Sequence, residues 1–176
     1  MNSSDFYKDP TVRRILQQLE VDGRLKIDMS IMDELQGYTV YAKKFEDISH
    51  ATYRTLEDLH RLAATFEYVQ FTRGRVIGIK VGHMPVLKIL RRLWSAATTA
   101  LYENFPELAK VSPVARKDHL LATVLARLRE QLDNAEVLIE AATDVERLLG
   151  NAHFMMIELK QINEAFLEAD KRERNI

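Results

Sequence analysis

Two apolar stripes, each repeating in alternating steps of three and four residues, constrain this chain more than any other feature. The first runs Leu35, Tyr38, Ala42, Phe45, Ser49, Thr52, Leu56, Leu59, Ala63 and Phe66; the second runs Leu121, Leu125, Leu128, Leu132, Ala135, Ile139, Ala142 and Leu149. That spacing is a heptad seam along a helix, and a strand would instead alternate every second residue. Ser49 and Thr52 interrupt the first seam and Glu146 the second. A helix this long cannot bury one stripe inside a small globule unaided. The stripe must lie against another long helix, of the same chain or of a neighbour.

Composition agrees. With 6 glycines and 4 prolines in 176 residues, the chain lacks the tight turns a sandwich or barrel needs, and the length suits one domain spanning residues 1–176. Cysteine is absent, which excludes disulfides and thiolate chemistry. The opening MNSSDFYKDP has no basic stretch leading into an apolar run, and no segment approaches eighteen uninterrupted apolar residues. The expectation is a cytoplasmic protein of the host cell, or a virion component made there.

Local signals place the elements. Asp9 and Pro10 open a short helix over about residues 10–21, carrying Val12, Ile15, Leu16 and Leu19, and Gly23 ends it. Ser30 with Asp33 reads as a capping box for a second helix that reaches Gly74, about forty residues or on the order of 60 Å. Gly74 reads as its stop. The Val- and Ile-rich run that follows predicts a short strand or hairpin arm near 75–82. A third helix opens at His83-Met84-Pro85 and runs to about Asn104. Its apolar face carries Leu87, Leu90, Trp94, Ala97 and Leu101, broadened by Val86, Ile89, Leu93 and Ala100, and leaves a narrow polar stripe of Lys88, Arg91, Arg92, Ser95 and Thr99. Phe105-Pro106 breaks it, and Ser112-Pro113 caps the helix that bears the second seam. That helix ends or kinks at Gly150-Asn151. A last segment carries Met156, Leu159, Ile162 and Phe166 and runs into a charged tail over about 170–176. The fold expected is all-α: long heptad-patterned helices in an antiparallel bundle or a coiled-coil-like assembly, and a homo-oligomer.

No catalytic constellation stands out. His50, His60, His83, His119 and His153 are scattered, and none pairs with another at helical or turn spacing, so no metal site is expected. Glu136 and Glu140 lack the Glu-x-x-His partner of di-iron bundles and read as a solvated face. The glycines at 74, 78 and 82 have neither the spacing nor the context of a dinucleotide fingerprint, and no phosphate loop is present. Neither enzyme activity nor a cofactor is expected.

Charge distribution is more informative than the net −1: no acidic residue lies between Glu67 and Glu103, a window holding Arg73, Arg75, Lys80, Lys88, Arg91, Arg92 and His83. Guanidinium groups beside Tyr68 and Phe71 suit single-stranded nucleic acid, because cations track phosphates and aromatic rings stack on bases. The same arginines could equally pair with acidic groups across a subunit interface. A membrane-surface role for the helix from Pro85 to Asn104 is a third reading, but burial between long helices explains its broad apolar face more simply.

Three places resemble the UvsY-type recombination mediators of tailed bacteriophages. Ile27-Asp28 precedes the first long helix. Phe71, Thr72, Arg73, Gly74 and Arg75 are similar to that family's aromatic, hydroxyl, glycine and basic run, with an intruding arginine. Phe154, Ile157 and Phe166 give a similar rhythm near the C-terminus. The likeness covers roughly residues 25–75 and 118–169, and the stretch 76–112 has no counterpart. It implies an oligomer that binds single-stranded DNA beside a recombinase and a single-strand-binding protein. Carried over, it makes Arg61, Arg73 and Arg75 phosphate contacts and Phe71 or Tyr68 stacking platforms.

Overall fold

A computed structural model describes residues 6–48, 55–110 and 121–174 and is all-helical across them. Helix α1 is Pro10–Val21, α2 is Ile31–Ile48, α3 is Leu56–Asn104 and α4 is Ala126–Arg174; short 3-10 turns occupy Gly23–Leu25 and Pro106–Lys110. Ser49, Thr52 and the Ser112-Pro113 cap lie outside the described residues, as do His50, His119 and the side chains of Phe45, Leu56 and Leu59.

The start of α1 follows its sequence signal. Asp9 is the N-cap, its carboxylate accepting from the N–H groups of Thr11 (2.8 Å) and Val12 (2.9 Å), and Pro10 occupies the first turn, where no N–H is missed. Helix α3 begins at a capping box at Thr55, so the second helix expected to run from Ser30 to Gly74 is divided between α2 and α3. The Thr55 hydroxyl accepts from the Asp58 N–H (3.1 Å), while the Asp58 carboxylate accepts from the Thr55 N–H (3.1 Å).

Several further expectations are overturned. Gly74 does not end a helix, because α3 runs through Gly74, Gly78, Gly82 and Pro85 without a break. No strand occurs over 75–82, nor anywhere among the described residues. The physical reason is which side chains find cover. Val76 (0% exposed) and Ile79 (7%) are buried together, three residues apart, whereas Ile77 (37%) and Val81 (64%) face out. A strand would put Ile77, Ile79 and Val81 on one face. The stripe continues through Leu87, Leu90, Ala97 and Leu101, all buried, and this burial offsets what the glycines and Pro85 cost. Likewise α4 passes through Gly150-Asn151 as helix. Its buried stripe takes Val145 (3%) in place of Glu146, so the second seam is not interrupted there.

The described chain forms two compact units whose boundaries fall inside α3 and α4: one comprises Met1–Met29 and Gly82–Ile139, the other Ser30–Val81 and Glu140–Ile176. In the first, Val12, Ile15, Leu19 and Leu25 are buried, as are Leu90, Leu101, Leu108, Leu125, Leu128 and Leu138. Phe6 meets Phe105 edge-on at 4.9 Å, and the Ile27 N–H donates to Gln131 Oε1 at 2.8 Å. In the second, Leu35, Ala42, Leu62, Val69, Val76, Ala142, Leu149 and Met156 make the core. Thr72 is buried within it at 1% exposure, and its hydroxyl has no hydrogen-bond partner among the described residues. No helix among the described residues is long and apolar enough to cross a membrane.

Candidate nucleic-acid interface

All nine residues singled out from the sequence lie on α3, so within each unit helical periodicity fixes which of them share a face. Arg61, Tyr68, Phe71, Arg73, Arg75 and Lys80 belong to the second unit, and Lys88, Arg91 and Arg92 to the first.

In the second unit most of the cations already face carboxylates. Arg61 pairs with Glu57 one turn back (2.6 Å), Arg75 with Glu34 of α2 (2.9 Å) and Lys80 with Glu146 of α4 (2.8 Å). Glu34 is a shared acceptor: the Tyr38 hydroxyl donates to its Oε1 at 2.6 Å while Arg75 donates through Nε. The hydrogen bond from Arg75, then that from Tyr38, hold the Glu34 carboxyl below its usual range. Burial first, and then the hydrogen bond to Glu34 and its negative charge, push the Tyr38 phenol up to about 12. Arg73 is half-buried, and its Nε has no partner among the described residues.

The two aromatic candidates differ. Tyr68 packs one face against Tyr41 (centroids 4.5 Å apart), whereas Phe71 is 71% exposed and its ring is open to a stacking partner. Phe71 and Arg75 are one turn apart and so share a face; Arg61 lies on the same side of the helix as Arg75 but about 21 Å back along the axis, and Arg73 faces away. His153 stacks on Phe66 at 5.1 Å and shares a 2.7 Å hydrogen bond with Gln70. A cleft of about 530 Å³ in the same unit is lined by Leu62, Phe66, Met156 and Ile157, with Lys160 and Glu164 at its rim.

In the first unit Arg91 pairs with Glu136 (2.9 Å), and the Arg129 guanidinium lies 5.6 Å from the centroid of the half-buried Trp94 ring. Lys88 and Arg92, both exposed, meet no carboxylate within ion-pair reach among the described residues. Among those residues no group of three or more His, Asp or Glu is placed to hold a metal ion.

Sequence reasoning found the cations by residue type and by the acid-free window. It missed their partners Glu34, Glu136 and Glu146, which stand 41, 45 and 66 residues away from Arg75, Arg91 and Lys80. No local signal could have found them. A scan against protein-family models and searches of curated proteins and of solved structures found no match.

Proposed function

We propose that this chain is a nonenzymatic accessory protein that self-associates and binds single-stranded DNA along the basic length of α3. The role would be that of a phage recombination or replication mediator, with a recombinase and a single-strand-binding protein as partners. One observation carries the reading: between Glu67 and Glu103 α3 has no acidic residue, and two of its cations, Lys88 and Arg92, meet no carboxylate among the described residues. Exposed cations without counter-charges attract phosphates and release their counterions on binding. The scaffold proposed is an antiparallel pairing of α3 with α4. Contact order supports it: as numbers rise along α3 they fall along α4, from Gln70 with His153 to Lys80 with Glu146, and from Arg91 with Glu136 to Trp94 with Arg129.

The test is fluorescence anisotropy of a labelled single-stranded oligonucleotide at low and at moderate salt. Binding should weaken steeply as salt rises, and a failure to bind at low salt removes the proposal.

A second reading, a structural subunit of a phage virion or similar assembly, draws on the Arg75–Glu34, Lys80–Glu146 and Arg91–Glu136 pairs, which use cations for architecture. It also draws on Phe71 (71%), Phe154 (64%) and Phe166 (71%), exposed apolar rings that a protein neighbour would cover. Replacing Arg73 and Arg75 by alanine separates the two. Weaker DNA binding at unchanged particle mass favours the mediator, and dissociation of the particle favours the subunit.

A further inference from the structure

We propose that the phosphate-gripping row is Lys88, Arg92, Ser95 and Thr99 in the first unit, and that it holds the sugar-phosphate backbone without reading bases. This rests on the DNA-binding reading and narrows it to one face.

Spacings of four, three and four keep these side chains within about 60° of one another on α3, in a row of about 16 Å at helical rise. A stacked strand of about five nucleotides spans the same length. All four residues are exposed. Lys88 and Arg92 meet no carboxylate in reach among the described residues, so a phosphate there displaces no carboxylate of those residues. At Arg61, Arg75, Lys80 and Arg91 it must first compete with Glu57, Glu34, Glu146 and Glu136. Two cations followed by two hydroxyls present donors that match phosphate oxygens: the Arg92 guanidinium can bind one in two-pronged fashion, and Ser95 and Thr99 each offer an O–H. The row itself contains no aromatic residue, and the nearest indole, Trp94, is half-buried with the Arg129 guanidinium near its ring. Tyr102, one turn past Thr99 on the same side of α3, is likewise half-buried; stacking there would be tolerant of sequence, and contacts to phosphate and sugar carry no sequence information.

The test compares the full chain with Lys88→Gln/Arg92→Gln and Ser95→Ala/Thr99→Ala, using labelled oligo-dT and oligo-dA over a salt series. Circular dichroism of each variant verifies the helix, which exposed substitutions leave intact. For the unaltered chain, dT and dA affinities should agree within a few-fold. The Lys88→Gln/Arg92→Gln change should flatten the slope of log affinity against log salt by about 1.4, two single-strand phosphate contacts at about 0.7 each. Ser95→Ala/Thr99→Ala should weaken binding with the slope unchanged. If the unaltered chain binds and the Lys88/Arg92 variant keeps its affinity and slope, the row is overturned while DNA binding stands. If the unaltered chain fails to bind, both fall. If poly-glutamate competes as well as an oligonucleotide of equal charge, the row serves an acidic protein instead, and the phosphate assignment is overturned.

Discussion

Gly74 sits in the interior of α3 with nothing within 4 Å of where a Cβ would stand, and the same is true of Gly78. An exposed helical glycine costs about 1 kcal/mol relative to alanine, mostly through chain entropy. Gly74→Ala should therefore raise stability by about 0.5–1 kcal/mol, read as a higher urea midpoint at unchanged slope. The opposite sign is expected if Gly74 ends a helix in the left-handed region, as its sequence context suggests, since alanine there is strained. The Glu34, Tyr38 and Arg75 cluster makes a second prediction at this scale. Tyr38 has a raised folded-state pKa, so its stabilising effect is complete below pH 10, the ordinary tyrosine value, and is lost as pH rises toward about 12. Glu34 has a lowered one, so its contribution is present above the ordinary carboxylate range and disappears as pH falls through the depressed value. Ultraviolet titration should show one tyrosine ionising near the upper limit and missing from Tyr38→Phe. A Tyr38→Phe curve identical to that of the unaltered chain would dissolve the cluster.

Element boundaries were legible where the physics is local. Asp9-Pro10 announces α1 because a carboxylate, a missing N–H and two orphan donors lie within three residues of one another. The Thr55-x-x-Asp58 box is equally local, but the heptad spacing from Thr52 to Leu56 runs straight across it and masks the helix start. The arm over 75–82 failed for a different reason. Glycine, proline and β-branched residues are weak local votes, and the burial of Val76 and Ile79 outweighs them. The two caps differ in burial, so they should differ in cost. Asp9 is 4% exposed, accepts from two backbone N–H groups and also receives Asn104 Nδ2, so Asp9→Ala strands several polar groups. It should cost about 2 kcal/mol, against about 1 kcal/mol or less for Thr55→Ala at its exposed box. Paired denaturation curves measure both, and equal losses would mean that burial does not amplify the Asp9 cap.

At the scale of the whole molecule, the seams pose the question of partners. Long apolar stripes demand cover, and in each unit the chain supplies much of it: Leu125, Leu128 and Leu138 in one, Val69, Val76 and Leu149 in the other, are fully buried. The stripes alone therefore do not require a second copy. Exposed apolar residues that a second copy would cover include Phe71, Val81, Phe154 and Phe166, at 71, 64, 64 and 71%, in the unit of Ser30–Val81 and Glu140–Ile176. Sequence reading found the stripes but could not tell covered from uncovered positions, since the phase of a seam on a long helix depends on what lies opposite it. Ala63, assigned to the first seam, is exposed, and Leu62 beside it is buried. If self-association holds, light scattering over a range of concentrations should give a multiple of 20.4 kDa. Phe154→Ser with Phe166→Ser should lower that mass at little cost to the fold, because neither ring lies in a core. Leu149→Ala should cost about 2–5 kcal/mol in stability, because its side chain fills one. A strict 20.4 kDa particle at every concentration removes self-association and leaves DNA binding to stand as the property of a monomer.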